Sequence, residues 1–164
     1  MEDVWTPAYV AVGSNLDDPL SQVRRGLQAL RELPDSRRIA VSRLYRTTPL
    51  GPQNQPDFVN AAAGLLTRLA PRNLLAALKS LEVQLGREQP VERWGPRRID
   101  FDLIVFGTVQ VHEPDLTVPH PGASQRNFVL YPLLDIAPQL MVPGQGRVAV
   151  LAGRVGRAGL TPIE

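Results

Sequence analysis

Two successive blocks of this chain each read strand, helix, strand, and that order limits the fold more than any other feature. In the first block Ala8-Tyr9-Val10-Ala11-Val12 is an apolar strand stopped by Gly13-Ser14-Asn15. Asp18 followed by Pro19 then supplies a helix cap and a first-turn proline. Leu20, Val23, Leu27 and Leu30 recur at spacings of 3, 4 and 3 and form one apolar stripe. Ile39 to Tyr45 alternates as a second strand. In the second block Phe58 to Thr67 reads as a strand and Pro71 opens a helix. That helix carries Leu74, Leu75, Leu78, Leu81 and Leu85 on its buried side, and Gly86 closes it. Ile99-Asp100-Phe101-Asp102-Leu103-Ile104-Val105-Phe106 is the last strand of the pair of blocks.

Sequential strands joined by amphipathic helices predict an α+β sandwich, an antiparallel sheet with helices on one face. The βαββαβ order is the ferredoxin-like plan. Val109-Gln110-Val111 is expected to form a short hairpin return after Gly107. Helical segments over 127–134 and 148–155 add C-terminal elements to the core. Between the regular segments, Thr47 to Pro56 holds three prolines and a glycine in ten residues, and Arg87 to Arg98 is polar. Both are loops.

At 164 residues and 43% apolar content the chain is expected to form a single domain over 1–164 with a real core. The absence of cysteine excludes disulfides, thiolate metal sites and cysteine nucleophiles. The first residues carry no apolar signal core, and no run approaches the ~18 apolar residues of a membrane span. The expectation is therefore a cytoplasmic protein with no membrane partner, and nothing in the pattern demands more than a monomer. Net charge is +2, and of the 18 cationic side chains only Lys79 is a lysine. Arginine's planar fork matches phosphate oxygens, although most such residues simply solvate a surface.

The segment Arg93-Trp94-Gly95-Pro96-Arg97-Arg98-Ile99-Asp100-Phe101-Asp102 carries the strongest chemical signal. Residues i and i+2 of a strand share a face, so Asp100 and Asp102 project together, about 6–7 Å apart along the backbone. Side by side, two carboxylates repel, and a divalent cation with oxygen ligands relieves that repulsion. Mg²⁺ favours few carboxylates plus substrate phosphates. Arg87, Arg93, Arg97 and Arg98 lie within twelve residues, close to those acids in sequence. Such a group could offset charge building on a polyphosphate leaving group. His120, in the rigid Thr117-Val118-Pro119-His120-Pro121 turn, and Arg126 add possible phosphate or nucleoside contacts. His112 reads as an exposed bystander.

Phosphate-cradling P-loops, dinucleotide glycine motifs, His-Glu-x-x-His and a serine nucleophile elbow are all absent. Residue patterns alone leave three classes open: a magnesium-dependent phosphotransferase or nucleotide hydrolase, a nucleic-acid-binding module, and a scaffold. Aromatics at 5% and aspartates in mid-strand argue against nucleic acid.

Four ordered motifs resemble the 6-hydroxymethyl-7,8-dihydropterin pyrophosphokinase family of folate biosynthesis. They are Ala11-Val12-Gly13-Ser14-Asn15-Leu16, Tyr45 to Pro52 with Gln55-Pro56-Asp57-Phe58-Val59-Asn60, Arg93 to Asp102, and Leu116-Thr117-Val118-Pro119-His120. The resemblance runs from about Ala8 to about Pro143. It implies pyrophosphoryl transfer from ATP to the pterin hydroxymethyl group, with two Mg²⁺ held by Asp100 and Asp102 and electrostatic help from Arg87 and Arg97. It further implies a pterin stacked between Phe58 and Phe128, with Thr47, Thr48, Pro49, Leu50, Asn60 and Trp94 around it. Glu82, Leu103, Thr117, His120 and Arg126 fall on the ATP side. Both substrates are small molecules, and no nucleic acid is implied. Closure of the loops Thr47–Pro56 and Arg87–Trp94 over bound substrates is expected. Several positions depart from the family. Gln89 and Asp115 stand where well-known members carry arginine, Phe58 replaces a tyrosine, and Thr48 and Pro121 also differ.

Overall fold

The computed structural model describes residues 4–47, 57–86 and 99–163. β1 (Thr6–Ser14) leads into α1 (Pro19–Ala29), which ends in a 3-10 turn over Leu30–Glu32. Then follow β2 (Ser36–Val41), β3 (Tyr45–Thr47), β4 (Phe58–Thr67), α2 (Pro71–Gln84) and β5 (Asp100–Phe106). The hairpin β6 (Val111–Glu113) and β7 (Leu116–Val118) precedes a 3-10 turn at Ala123–Gln125 and α3 (Asn127–Ile136). The short pair β8 (Met141–Val142) and β9 (Gly146–Arg147), α4 (Val148–Val155) and β10 (Leu160–Pro162) complete the order.

The main sheet is antiparallel throughout, in the order β10-β3-β4-β1-β5, with β2 also paired to β4. The expected strand over 39–45 is thus two strands. β2 pairs with the Ala63–Thr67 end of β4, and β3 with its Phe58–Asn60 end. The break falls at Ser42, whose hydroxyl accepts from Ala62 N and donates to Arg43 O while its own N–H donates to Ala62 O. A side chain that satisfies backbone groups interrupts the ladder it sits in.

The expected return after Gly107 is also corrected: Val111–Glu113 pairs with Leu116–Val118 instead. Arg72 at the start of α2 forms ion pairs with both Glu113 and Asp115 of this hairpin, the latter at 2.7 Å. Asp115, one of the departures from the family pattern, is thereby engaged at the protein surface.

Local signals place the first two helices. Asp18 caps α1 by accepting from Ser21 N at 3.4 Å ahead of Pro19, and Gly86 ends α2 at a φ of 97°. Val23, Leu27, Leu74, Leu78 and Leu81 of these helices pack with Val10, Val12, Ile99, Phe101 and Leu103 of the sheet. Gly26 lets α1 sit close, since a Cβ there would lie 2.8 Å from Ile99 Cδ1.

Helices on one face only is the expectation that fails. α3 and α4 cover the opposite face, where Val129, Leu130, Leu133, Val148 and Leu151 pack with Ala62, Ile104 and Val105. β4 explains this: Val59 to Leu65 is buried without a break, as required of a strand covered on both sides. The C-terminal tail joins the sheet as well, with Leu160 opposite Thr47 and Ile163 N donating to Leu44 O at 2.8 Å.

Candidate active site

The aspartates of β5 lie on the α3 side of the sheet. Antiparallel partners point to the same face, and Asp102 pairs with Ala11, which in turn pairs with Ala62; both alanines belong to the α3-side packing. One row further along, Asp100, Gly13, Asn60 and Tyr45 follow one another across four strands. Thr47 and Phe58 form the next pair beyond Asn60 on that face. Two carboxylates, a buried amide and an aromatic ring are thus presented side by side by residues far apart in sequence.

Asn60 is buried, and its Nδ2 donates to Thr47 Oγ1 at 2.8 Å. Phe128, in the first turn of α3, packs at the edge of the second core, with the Arg126 guanidinium 5.9 Å from its ring centre. α3 is in turn fixed to β3: Asp135 Oδ2 accepts from Tyr45 Oη at 2.7 Å and from Arg43 N at 3.2 Å. These contacts connect the helix that carries Phe128 to the strand that carries Thr47.

His120 hangs beside β5. Its N–H donates to Ile104 O at 2.9 Å, and its carbonyl accepts from Gln145 Nε2 at 3.1 Å. Nδ1 accepts from Gly122 N at 3.1 Å, so the neutral ring carries its proton on Nε2. Burial lowers the imidazole below its ordinary range, the Arg126 charge adds to this, and Asp100 opposes it. The result is a neutral donor, suited to a phosphate or nucleoside oxygen.

Desolvation raises Asp102 to about 7, the neighbouring Asp100 charge pushes the same way, and Glu82 adds to it. Lys79 and Arg126 oppose the shift. A carboxylate so disfavoured in its charged form is one that a cation would stabilise. Among the described residues no group of three or more His, Cys, Asp or Glu side chains forms a metal cage. Two carboxylates still fit Mg²⁺, which completes its shell with waters and substrate phosphates rather than protein ligands.

Glu82 and Leu103, expected on the ATP side, both have partners within the fold. Glu82 is 2% exposed, and its Oε2 accepts from Phe101 N at 2.7 Å and meets Lys79 Nζ at 3.5 Å. Its carboxylate holds the outer edge of β5 between the two aspartates. The Leu103 side chain packs with α1 and α2, on the far side of the sheet from the acids. Thr117 lies half-buried on β7, opposite His112. Thr48, Pro49, Leu50, Arg87, Trp94 and Arg97, and with them the expected closing loops, lie outside the described residues. A shallow groove lined by Arg24, Arg25, Gln28 and Leu85 runs along α1, on the other face from the acids.

Gly13 lies in the middle of this row; along the chain it is legible only as the glycine that stops an apolar strand and as part of the Ala11–Leu16 motif, with no site role attached to it.

Comparison with known proteins bears on this arrangement. The family model described as 7,8-dihydro-6-hydroxymethylpterin-pyrophosphokinase matches residues 9–138. The chain is 50% identical over 135 residues to a Pseudomonas aeruginosa 2-amino-4-hydroxy-6-hydroxymethyldihydropteridine pyrophosphokinase, covering 82% of this chain and 83% of that one. It is 38% identical over 159 residues to the enzyme of the same description from Methylorubrum extorquens, covering 97% and 99%. The fold is similar to a Plasmodium falciparum HPPK-DHPS crystal structure with pteroate, at a TM-score of 0.72 and 13% identity. That likeness covers 94% of this chain and 43% of the longer one.

Proposed function

Since the chain belongs to the 7,8-dihydro-6-hydroxymethylpterin-pyrophosphokinase family, we propose that it transfers pyrophosphate from ATP to the hydroxymethyl group of 6-hydroxymethyl-7,8-dihydropterin. The pterin hydroxyl oxygen bonds to the β-phosphorus, the bond from that phosphorus to the bridging α–β oxygen breaks, and AMP leaves with those electrons. The hydroxyl proton is released, and the pterin diphosphate is the product. The observation that carries this reading is one sheet face. It sets Asp100 and Asp102, suited to the phosphate side, beside Asn60, Thr47 and Phe58, suited to a flat polar heterocycle.

Phe58 and Phe128 supply apolar faces for the pterin ring, while Asn60 and Thr47 read its polar edge. Stacking favours any flat ring, and directional hydrogen bonds discriminate among them. His120, as a neutral Nε2–H donor, and Arg126 hold the triphosphate side. Asp100 and Asp102 would hold Mg²⁺, which when bound screens the polyphosphate charge that opposes attack. The roles assigned to Arg87, Arg97 and Trp94, and the number of ions as two, rest on the family resemblance. The sheet order β5-β1-β4 with β2 and β3 beyond it supports a ferredoxin-like core.

AMP formation from ATP and Mg²⁺, measured with and without the pterin, tests the proposal. Pterin-dependent AMP that disappears in a folded Asp100→Ala or Asp102→Ala variant is the expected result. ADP or inorganic phosphate in its place would overturn it.

A further inference from the structure

Gly13 separates the two halves of this site. It pairs in register with Asn60 on one side and with Asp100 on the other. Backbone conformation does not call for glycine here, because Gly13 lies in extended β1 and is not among the residues with positive φ. Space does. A Cβ at position 13 would lie 2.6 Å from Asn60 Oδ1, while the next nearest atoms, Asn60 Cγ and Val59 O, are at 3.7 and 3.8 Å. One amide oxygen therefore accounts for the whole clash. The other end of that amide is pinned, since Nδ2 donates to Thr47 Oγ1 inside the protein.

Other glycines show that this is not a general packing effect. Gly26 abuts core methyl groups, and a Cβ at Gly64 would meet only ordinary contact distances, 3.4 Å and beyond. At Gly122 a Cβ would meet Arg126 Nε at 2.8 Å, but that is the far end of a long side chain, whereas the Asn60 amide that obstructs position 13 is held at its other end by Thr47.

We propose that Gly13 is a specificity-determining residue: its missing side chain leaves room for the Asn60 amide to lie over β1, on the row shared with Asp100. The group that reads the heterocycle and the acid on the phosphate side are thereby kept one strand apart. The inference rests on the reading of Asn60 as a pterin contact. A methyl group at position 13 turns the Asn60 side chain and breaks its bond to Thr47. It does so without disturbing the ladder, because the displaced atom is a side-chain terminus rather than backbone.

The test is a double-mutant cycle of Gly13→Ala, Asn60→Ala and the pair together, each shown to be folded by circular dichroism and thermal melting. AMP formation then gives KM for the pterin and for ATP. Gly13→Ala is expected to raise the pterin KM about tenfold or more, the scale of one lost directional contact, with little change in the ATP KM. Asn60→Ala should do likewise, and the double variant should be no worse than Asn60→Ala alone. If Gly13→Ala fails to fold while the double variant folds, the same contact is identified by rescue. An unchanged pterin KM in Gly13→Ala, or additive losses in the pair, would overturn the inference and leave the reading of Asn60 intact. A neutral Asn60→Ala would overturn both.

Discussion

Glu82 Oε2 accepts a hydrogen bond from Phe101 N at 2.7 Å, on the outer side of β5 and midway between Asp100 and Asp102. An edge strand has backbone donors that the sheet does not use, and here a helix carboxylate takes one of them. The contact fixes the pleat that sends both aspartates to one face. Glu82→Gln retains an acceptor, and its stability should stay close to the parent's. Glu82→Ala leaves a buried N–H without its partner and should cost about 1–3 kcal/mol in urea unfolding. A normal stability for Glu82→Ala with only a raised ATP KM would mean that the residue serves the nucleotide instead.

Asp102 gives the metal-free protein a pH dependence near neutrality. Its carboxyl is raised to about 7 in the folded state against 3.8 ordinarily, so the fold binds a proton that the unfolded chain lacks between those values. Stability should therefore fall as pH rises from about 4 to about 7, by roughly 2–4 kcal/mol. Asp102→Asn should flatten that slope and be the more stable protein at pH 8. Urea midpoints at pH 5 and pH 8, in chelator, measure both effects. Mg²⁺ added at pH 8 should stabilise the parent and not Asp102→Asn.

Tyr45 predicts a second, alkaline dependence. Burial, and then the hydrogen bond to Asp135, raise its phenol from 10.0 to about 12. The folded protein keeps the phenolic proton where the unfolded chain has lost it, so stability is full below about 10 and declines between about 10 and 12. Tyr45→Phe removes a hydrogen bond to a charged group and should cost about 1.5–3 kcal/mol at pH 8. Its stability should then change less than the parent's between pH 9 and 11, as thermal melts would show.

Arg126 lies beside the Phe128 ring and within the electrostatic reach of Asp102 and His120. Arg126→Ala removes a charge that lowers both groups, so the imidazole should titrate at higher pH, which NMR of the His120 ring would follow. Its ATP KM should rise at least tenfold, and the pterin KM should change less. Equal losses for the two substrates would indicate that Arg126 acts mainly by holding Phe128.

Much of this architecture was legible along the chain because it is set by neighbours in sequence. Apolar spacing placed α1 and α2, Asp18-Pro19 and Gly86 marked their ends, and the i, i+2 geometry of a strand put Asp100 and Asp102 on one face. The chemical signature of paired acids beside arginines needs no fold to be recognised. Other features join residues with no local relationship. Which face of the sheet α3 covers, the 90-residue separation between Tyr45 and Asp135, and the pairing of Leu160 with Thr47 have no signature in any short window. The break of one expected strand at Ser42 depended on a hydroxyl meeting Ala62, twenty residues on. Glu82 was readable as an acid on a helix, but only packing decided that its partner is the edge of β5.

The sequence by itself determined the main helices and long strands, their order and the acidic pair, since backbone sterics, side-chain periodicity and charge act over a few residues. Tertiary structure alone decided that Asn60, Gly13 and Asp100 share one row. That row exists because β1 is held between β4 and β5 in a single register, and register depends on cores packed from the whole chain.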